Sequence, residues 1–502
     1  MAFSRIQSAQ LSGLGATGVV VETDINRGLY MFQIVGLPDK SVEEARERVI
    51  SALRNSCDIN PKAANQKVIV SLSPAELRKE GAYVDIAIAL GYLVANETIT
   101  LDETRRVFVG ELALNGEVRR VRGVLSIGQW AIEEGYAELY IPEENKKEAA
   151  LLRGISIFLV PTLEKLVAHI QGSESLETVI PSEDSEGAPL PSELDFAHVR
   201  GQQQAKRALT IAAAGGHNIV LYGPPGTGKS MLAKAFHGIL PKLSTSHFLE
   251  VARIYSSIGL VEDVLHQYPP LRAPHHSASH VAIIGGGSTL RPGDITLAHN
   301  GVLYLDEFPE FDRRVIEALR EPIEDGSITV ARAKGSVRYP ARFILLASMN
   351  PCPCGYRGSG IKHCTCSGAE IARYKKKLSG PIIDRIDLWV PVSHVAYDSL
   401  LESIDTRESP GIQKTVEAVR EQQYKRGAML NGYLSSKDVQ QHASLSKEAE
   451  VQLEAYAHKL KLSPRSYMRT IKVARTIADL EGSANIELAH ILEALQYRPK
   501  LE

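Results

Sequence analysis

The chain has 502 residues, more than one ordinary hydrophobic core organises, so roughly two to four domains are expected. Its 44% hydrophobic and 23% charged residues describe a globular protein, and no stretch approaches the roughly 18 consecutive apolar residues that a membrane helix needs, which excludes a helical membrane protein. A formal charge of −2 argues against coating nucleic acid through bulk electrostatics but leaves room for a locally basic pore or groove.

The first residues, MAFSRIQSAQ, lack a basic start followed by a long apolar run, so no signal peptide is read and the expected compartment is the cytoplasm. Short β-rich runs at residues 18–22, 67–72, 106–111 and 138–141 alternate with helical patterns at 41–56 and 83–96, which predicts an α/β domain over 1–171. Residues 172–194 are rich in Ser, Glu, Pro and Gly and predict a flexible linker. Beyond it, an apolar strand at 218–222, a glycine-rich turn and a helix at 230–240 open a second α/β region, expected over 195–396. Two more apolar strands follow, one at 301–305 leading into paired acids and one at 342–348 leading into Asn350. Helical patterns at 411–426, 446–459, 463–480 and 486–496 predict a small helical lid over 397–502.

The turn after the 218–222 strand reads Gly223-Pro224-Pro225-Gly226-Thr227-Gly228-Lys229-Ser230, a phosphate-binding loop in its required setting between strand and helix. Glycines at 223, 226 and 228 let backbone N–H groups close round phosphates, Lys229 suits the β and γ oxygens, and the Ser230 hydroxyl suits Mg²⁺. Asp306 and Glu307 end an apolar strand, Asp306 suited to the metal and Glu307 to polarising a water; ATP and Mg²⁺ are thus the expected cofactors. Asn350 is either the group that orients that water or a turn-former before Pro351. Arg385, after a turn and between Asp384 and Asp387, is either an ion-paired surface residue or a finger for a neighbouring subunit's γ-phosphate. Cys352-x-Cys354 and Cys364-x-Cys366, in the loop 352–366, supply four thiolates; structural zinc, reduced surface thiols and redox control all remain open, whereas four protein ligands leave no position for catalytic zinc.

These motifs, together with His217-Asn218, the run Asp294 to Gly301, Asn350-Pro351-Cys352-Pro353-Cys354-Gly355 and the run Lys472 to Leu480, resemble the ComM (YifB) subfamily of magnesium-chelatase-like AAA+ ATPases over nearly the whole chain. The resemblance implies that Asn350 is sensor 1, Arg385 the arginine finger and Arg465 the lid's sensor 2, with Arg469 competing for that role. It implies a homo-hexameric ring and a helicase-type DNA translocase that promotes branch migration as incoming DNA is integrated in natural transformation. Single-stranded, forked or branched DNA would be the polymer, with recombination proteins as candidate partners. A chelatase-like or chaperone-like ATPase that remodels a protein partner is the alternative.

The same clade carries a helix 2 insert and a hairpin before sensor 1, both facing the pore. Residues 274–280 with 285–287 map to the insert, and β-like runs at 327–331 and 337–339 to the hairpin, which puts Arg332 and Lys334 near its tip for DNA contact. The N-terminal domain resembles the domain of Lon protease that holds its Ser-Lys dyad, in Gly110-Glu111-Leu112, Gly116-Glu117-Val118 and the run Ile141 to Asn145. The segment Lys79 to Asp85 has no serine where the nucleophile would sit, and the lysine position falls near Leu125. No protease activity is expected, and a scaffolding or DNA-contacting role replaces it.

Overall fold

The computed structural model describes residues 2–37, 39–76, 79, 81–181, 194–287, 290–332, 335–360, 362–394, 407–427 and 429–499. The chain divides into two compact units, Met1–Glu186 with Leu249–Leu265, and Gly187–Phe248 with His266–Glu502. Among the described residues no helix is long and apolar enough to cross a membrane.

In the first unit, strands β1 (Ala2–Ser12) and β2 (Gly15–Arg27) form a long antiparallel hairpin. With β3 (Met31–Val35) and β4 (Gln66–Ser73) they make a sheet ordered β1-β2-β4-β3, in which β3 and β4 run parallel. Burial along β4 alternates, which is the period-two pattern of a sheet with one face in a core. That face meets helices Lys40–Cys57 and Asp85–Ala95, whose Val49, Leu53, Ile86 and Leu90 join Val21, Val68 and Val70 in one buried cluster. Asp39 caps the first of these helices by accepting from the Val42 N–H at 2.9 Å. Next come β5 (Arg106–Phe108), the short antiparallel pair β6 (Glu111–Leu112) and β7 (Val118–Arg119), then β8 (Glu138–Pro142) and β9 (Ser156–Val160). Strands β5, β8 and β9 form a parallel sheet.

Part of the stretch expected to be a flexible linker is ordered. The Leu159 N–H donates to the Glu177 carbonyl and the Val179 N–H to that of Ile157, both at 2.9 Å, and Leu176 is buried. Leu176 and Val179 give this Ser/Glu-rich segment enough apolar surface to lie along β9. Residues 182–193 lie outside the described residues.

The second unit is built on β10 (Ile219–Tyr222), β11 (Leu271–Arg272), the hairpin β12 (Gly285–Gly286) and β13 (Arg291–Pro292), β14 (Gly301–Leu305), the hairpin β15 (Ser327–Arg332) and β16 (Gly335–Pro340), β17 (Phe343–Met349) and β18 (Leu388–Pro391). The central sheet is ordered β11-β14-β17-β10-β18 with every pairing parallel. Every residue of β14 and β17 is buried, as expected of parallel strands covered on both faces, and this explains their unbroken apolar runs.

Helices Ser409–Gly427, Ser436–His442, Lys447–Lys459, Pro464–Leu480 and Leu488–Gln496 form the C-terminal part. Ser446 and Ser463 stand outside their helices as caps, each accepting a backbone N–H three residues on. Val416, Leu453, Ile471 and Ile477 of these helices share one buried cluster with Leu209, Ile219 and Leu346. A polar link adds to it: Asp387 Oδ1 pairs with Arg469 at 2.7 Å, Asp387 Oδ2 accepts from the Asn218 N–H at 2.9 Å, and Asn218 Oδ1 accepts from the Leu345 N–H at 2.8 Å. Burial pushes the Asp387 carboxyl up, but Arg469 and His217 outweigh it and hold the group well below the usual carboxylate range.

Candidate active site

Parallel pairing brings three strand ends to one edge. Tyr222 of β10 lies beside Met349 of β17, and Leu305 of β14 beside Ala347, so the residues that follow, Gly223, Asp306 and Asn350, emerge together. The phosphate-loop sequence then turns into helix Lys229–His237. Gly226 and Gly228 hold φ of +76° and +88°, and a Cβ at either would meet nothing within 4 Å, so this part of the loop borders open space. Gly223 has a different reason to be glycine: its Cβ would lie 2.1 Å from the Val392 carbonyl oxygen, so the absent side chain allows the chain after β18 to pack closely.

Lys229 Nζ reaches the carbonyls of Gly223 (2.8 Å) and Pro224 (2.7 Å) and Oδ1 of Asn350 (3.2 Å). Thr227 Oγ1 donates to the Pro224 carbonyl at 2.9 Å and tightens the loop. Ser230 Oγ donates to Asp306 Oδ2 at 3.0 Å. Ser348 donates to the other oxygen of Asp306. Sequence reading passed over Ser348, although period-two alternation along β17 puts it on the same face as Asn350. Burial pushes the Lys229 ammonium below its ordinary value, against the pull of Asp306 and Glu307. Burial also pushes the Asp306 carboxyl up, but hydrogen bonds from Ser348 and Ser230 more than offset it and hold the group below its ordinary value. A hydroxyl beside a carboxylate, with a partly desolvated ammonium in the adjoining loop, is a donor set that fits Mg²⁺ and a polyphosphate.

Glu307 has left-handed backbone, φ +53°, and its N–H donates to Asp306 Oδ1 (3.1 Å) and Ser348 Oγ (3.4 Å). Its carboxylate is 54% exposed and lies 3.4 Å from Nδ1 of His276. Among the described residues, the histidines of 274–280 do not converge with acids or cysteines into a metal-ligating cluster. His275 and His276 rings pack 4.2 Å apart, whereas His280 opens helix His280–Ile284.

Two of the expected site arginines meet elsewhere. Arg385, with 7% of its side chain exposed, pairs with Glu324 at 2.6 Å and donates to the Pro381 carbonyl at 2.8 Å. Arg465, 61% exposed, pairs with the other oxygen of the same Glu324 at 3.2 Å. Among the described residues neither is paired with Lys229, Asp306, Glu307 or Asn350, so the chain presents two separate polar groups. Glu324, in helix Arg320–Asp325, carries no motif that sequence reading could have used. Arg469 is engaged by Asp387.

Cys352, Cys354, Cys364 and Cys366 bring their Sγ atoms within 4.8 Å of one another. Separations of 3.4 Å (Cys352 to Cys354), 3.7 Å (Cys352 to Cys364) and 3.6 Å (Cys354 to Cys364) are far beyond an S–S bond. They approach the spacing of about 3.8 Å that four sulfurs at ~2.3 Å from one tetrahedral zinc would have. The knuckle abuts the phosphate-binding loop, since a Cβ on Gly355 would lie 2.8 Å from Pro225.

The expected hairpin is present, with longer strands than its β-like runs suggested. Pairing continues from Ser327 opposite Pro340 to Arg332 opposite Gly335. Lys334 lies outside the described residues. In the first unit, Leu125 is buried and its N–H donates to Glu148 at 3.1 Å. Asp85 is held by Arg48 (2.7 and 3.0 Å) and the Leu112 N–H (3.1 Å), and burial pushes its carboxyl up to about 6 against the pull of Arg48. That carboxylate is engaged in fastening a helix to β6.

Three family models match the chain in order: subunit ChlI of Mg-chelatase over residues 21–145, magnesium chelatase subunit ChlI over 195–400, and its C-terminal part over 406–498. The protein YifB of Escherichia coli K12 is 42% identical over 505 aligned residues, covering 99% of this chain and 97% of its own. The competence protein ComM of Haemophilus influenzae is 41% identical, covering 99% and 98%. The magnesium-chelatase 38 kDa subunit of Rhodobacter capsulatus is 27% identical over 33% of this chain and 52% of its own. With relatives matched from end to end and three family models in register, the chain belongs to the ComM (YifB) subfamily of magnesium-chelatase-like AAA+ ATPases.

Proposed function

We propose that the protein is a hexameric, ATP-driven DNA translocase of the helicase type that acts in the cytoplasm and promotes branch migration while incoming DNA is integrated during natural transformation. Membership in an AAA+ family implies an ATPase that uses ATP and Mg²⁺. The observation that carries the reading is the assembly of Lys229, Ser230, Asp306 and Asn350 at one sheet edge, in a chain matched over its length by a competence protein. Mg²⁺ would supply charge neutralisation across the phosphates. Backbone N–H groups of 226–228 and Lys229 would bind and orient the phosphates, Ser230 and Asp306 would hold the metal, Glu307 would take a proton from the attacking water, and Asn350 would orient that water. Arg385 would serve the site of a neighbouring subunit as its arginine finger, and Arg465 would be the lid's sensor 2, with Arg469 as the competing choice. Arg332 and Lys334 would contact DNA, with recombination proteins as further partners. The N-terminal unit would scaffold or contact DNA without protease chemistry.

Single-stranded or forked DNA is expected to raise ATP turnover and to be unwound. Lys334→Ala removes most of that increase, and loss of one phosphate contact lowers the slope of log affinity against log salt by about one. Turnover indifferent to every DNA would sink this reading. It would favour remodelling of a protein partner, the alternative supported by the partial match to a magnesium chelatase subunit.

The four cysteines would hold one structural Zn²⁺ that stiffens the loop between Asn350 and Arg385. Elemental analysis of the purified protein should find close to one zinc per chain, and Cys364→Ser close to none; a metal content near zero in the parent rejects zinc.

A further inference from the structure

We propose that a cleft at the roots of β14 and β17 is an anion site of its own, built to hold one phosphate group between Arg342 and Arg420. It lies apart from the phosphate-binding loop and goes beyond the DNA-directed reading.

Asp306 and Asn350 follow the ends of β14 and β17, whereas Gly301 and Arg342 stand where those strands begin, at the opposite edge of the sheet. The two roots are pinned side by side. The Asn300 N–H donates to the Arg342 carbonyl at 2.6 Å, and the Arg342 N–H donates to His299 Nδ1 at 3.0 Å. The exposed Arg342 side chain passes over Gly326, where a Cβ would lie 3.2 Å from its Cγ and Nε, so glycine leaves the stem its track. Among the described residues no carboxylate pairs with this guanidinium.

The other wall of the cleft carries Arg420 and Tyr424 of helix Ser409–Gly427, and Tyr433 of the turn Asn431–Tyr433. Arg420 is fixed in place: Nε and Nη2 both donate to the Ala213 carbonyl, at 2.8 and 2.6 Å, near the end of helix Gln203–Gly215. Its Nη1 is left to face elsewhere. Burial pushes the Arg420 guanidinium below its ordinary value, and the groups that pull the other way are the phenols of Tyr424 and Tyr433, not a carboxylate. Glu421, next along the helix, reaches Lys425 at 3.8 Å instead.

The cleft thus brings together two guanidiniums and two phenols. No acid lines it, and among the described residues neither phenol hydroxyl has a hydrogen-bond partner. Its free space of about 60 Å³ holds a few waters or one phosphate-sized ion, and is too small for a whole nucleotide. Two cations without a counter-charge repel each other in a partly desolvated place, and an oxyanion between them reverses that cost. Donors on two facing walls suit the four oxygens of a tetrahedral phosphate better than the two of a planar carboxylate, with a charge-assisted bond available from each guanidinium. Bound there, phosphate ties helix Ser409–Gly427 to the strand roots. A free phosphate ion and a phosphate monoester offer the same group, and the experiment has an arm for each.

The full chain carrying Lys229→Ala is the parent for the test, so that the phosphate-binding loop does not dominate the signal, and sodium phosphate is compared with sodium chloride at equal ionic strength. At ten times the dissociation constant measured by calorimetry, phosphate raises the melting temperature by about 3 to 6 °C. Arg342→Gln, added to that parent, weakens phosphate binding about 10- to 100-fold, the loss of one charge-assisted bond. With one like charge fewer in the cleft, it melts no lower than its parent when phosphate is absent. A purely structural arginine gives the reverse, a lower melting temperature in chloride and unchanged phosphate affinity, and that result overturns the site. Arg420→Gln weakens phosphate binding too, but it also loses the bonds to Ala213, so Arg342→Gln carries the decision. Glycerol 3-phosphate binding as tightly as phosphate assigns the site to a phosphate ester, and much weaker binding assigns it to the free ion. Failure of both to bind the parent, or equal binding by Arg342→Gln, overturns the proposal.

Discussion

Arg385→Ala is expected to lower ATP turnover by about 10³- to 10⁵-fold, the range for a cation that stabilises charge on a transferring phosphoryl group from a neighbouring subunit. The chain itself leaves two roles open for this residue. Arg385 is nearly buried against Glu324, which is what a structural ion pair looks like, yet Glu324 also holds the exposed Arg465, so one carboxylate gathers two cations away from their own phosphate-binding loop. The two roles separate cleanly in measurement. A finger loses kcat with little change in ATP binding or in melting temperature, and an inactive Arg385→Ala chain regains turnover when mixed with Lys229→Ala chains, because each supplies the part that the other lacks. A purely structural pair instead lowers the melting temperature, leaves kcat per folded chain near normal and shows no such complementation.

Glu307→Gln should retain ATP and hydrolyse it about 10²- to 10⁴-fold more slowly, the usual worth of a positioned proton acceptor. The change keeps size and removes charge, and the backbone that fixes residue 307, two hydrogen bonds from its N–H, does not involve the side chain. Nucleotide binding therefore survives. Asp306→Asn should fail differently, because Asp306 accepts from both Ser230 and Ser348, and weakened metal retention would raise the Mg²⁺ requirement of the reaction. Normal hydrolysis by Glu307→Gln would remove the carboxylate from the chemistry.

The grouping of Lys229, Ser230, Asp306 and Asn350 was legible because its parts are local. A strand, a glycine loop and a helix start lie within a dozen residues, and each acid or amide follows the strand that delivers it. The cysteines were legible for the same reason, two tight pairs in one loop. The arginines were readable as residues but not as neighbours, since Glu324 sits in an unremarked helix and meets Arg465 only through the fold. His276 falls in the run 274–280 that maps to the helix 2 insert, and nothing in that segment points to its neighbour Glu307. In the first unit, β1 escaped notice since its inward positions are Ser4, Ile6, Ser8 and Gln10; small polar residues hide a strand from a hydrophobicity pattern, although Ser4 finds its partner in the Gly91 carbonyl at 2.8 Å. Gly223 was assigned to phosphate approach, whereas the close passage of Val392 is a tertiary constraint that no local motif reveals.

The link from Arg469 through Asp387 to Asn218 has a mechanical corollary. Parting Arg469 from Asp387 would leave a carboxylate in the interior without its cation, at about 3 to 5 kcal/mol, so helix Pro464–Leu480 is welded to the root of β10. Arg465 rides on that helix one turn earlier, and the phosphate-binding loop sits at the opposite tip of that strand. A tug at Arg465 is thus transmitted by a rod that cannot slip, and the loop feels the strain at its base.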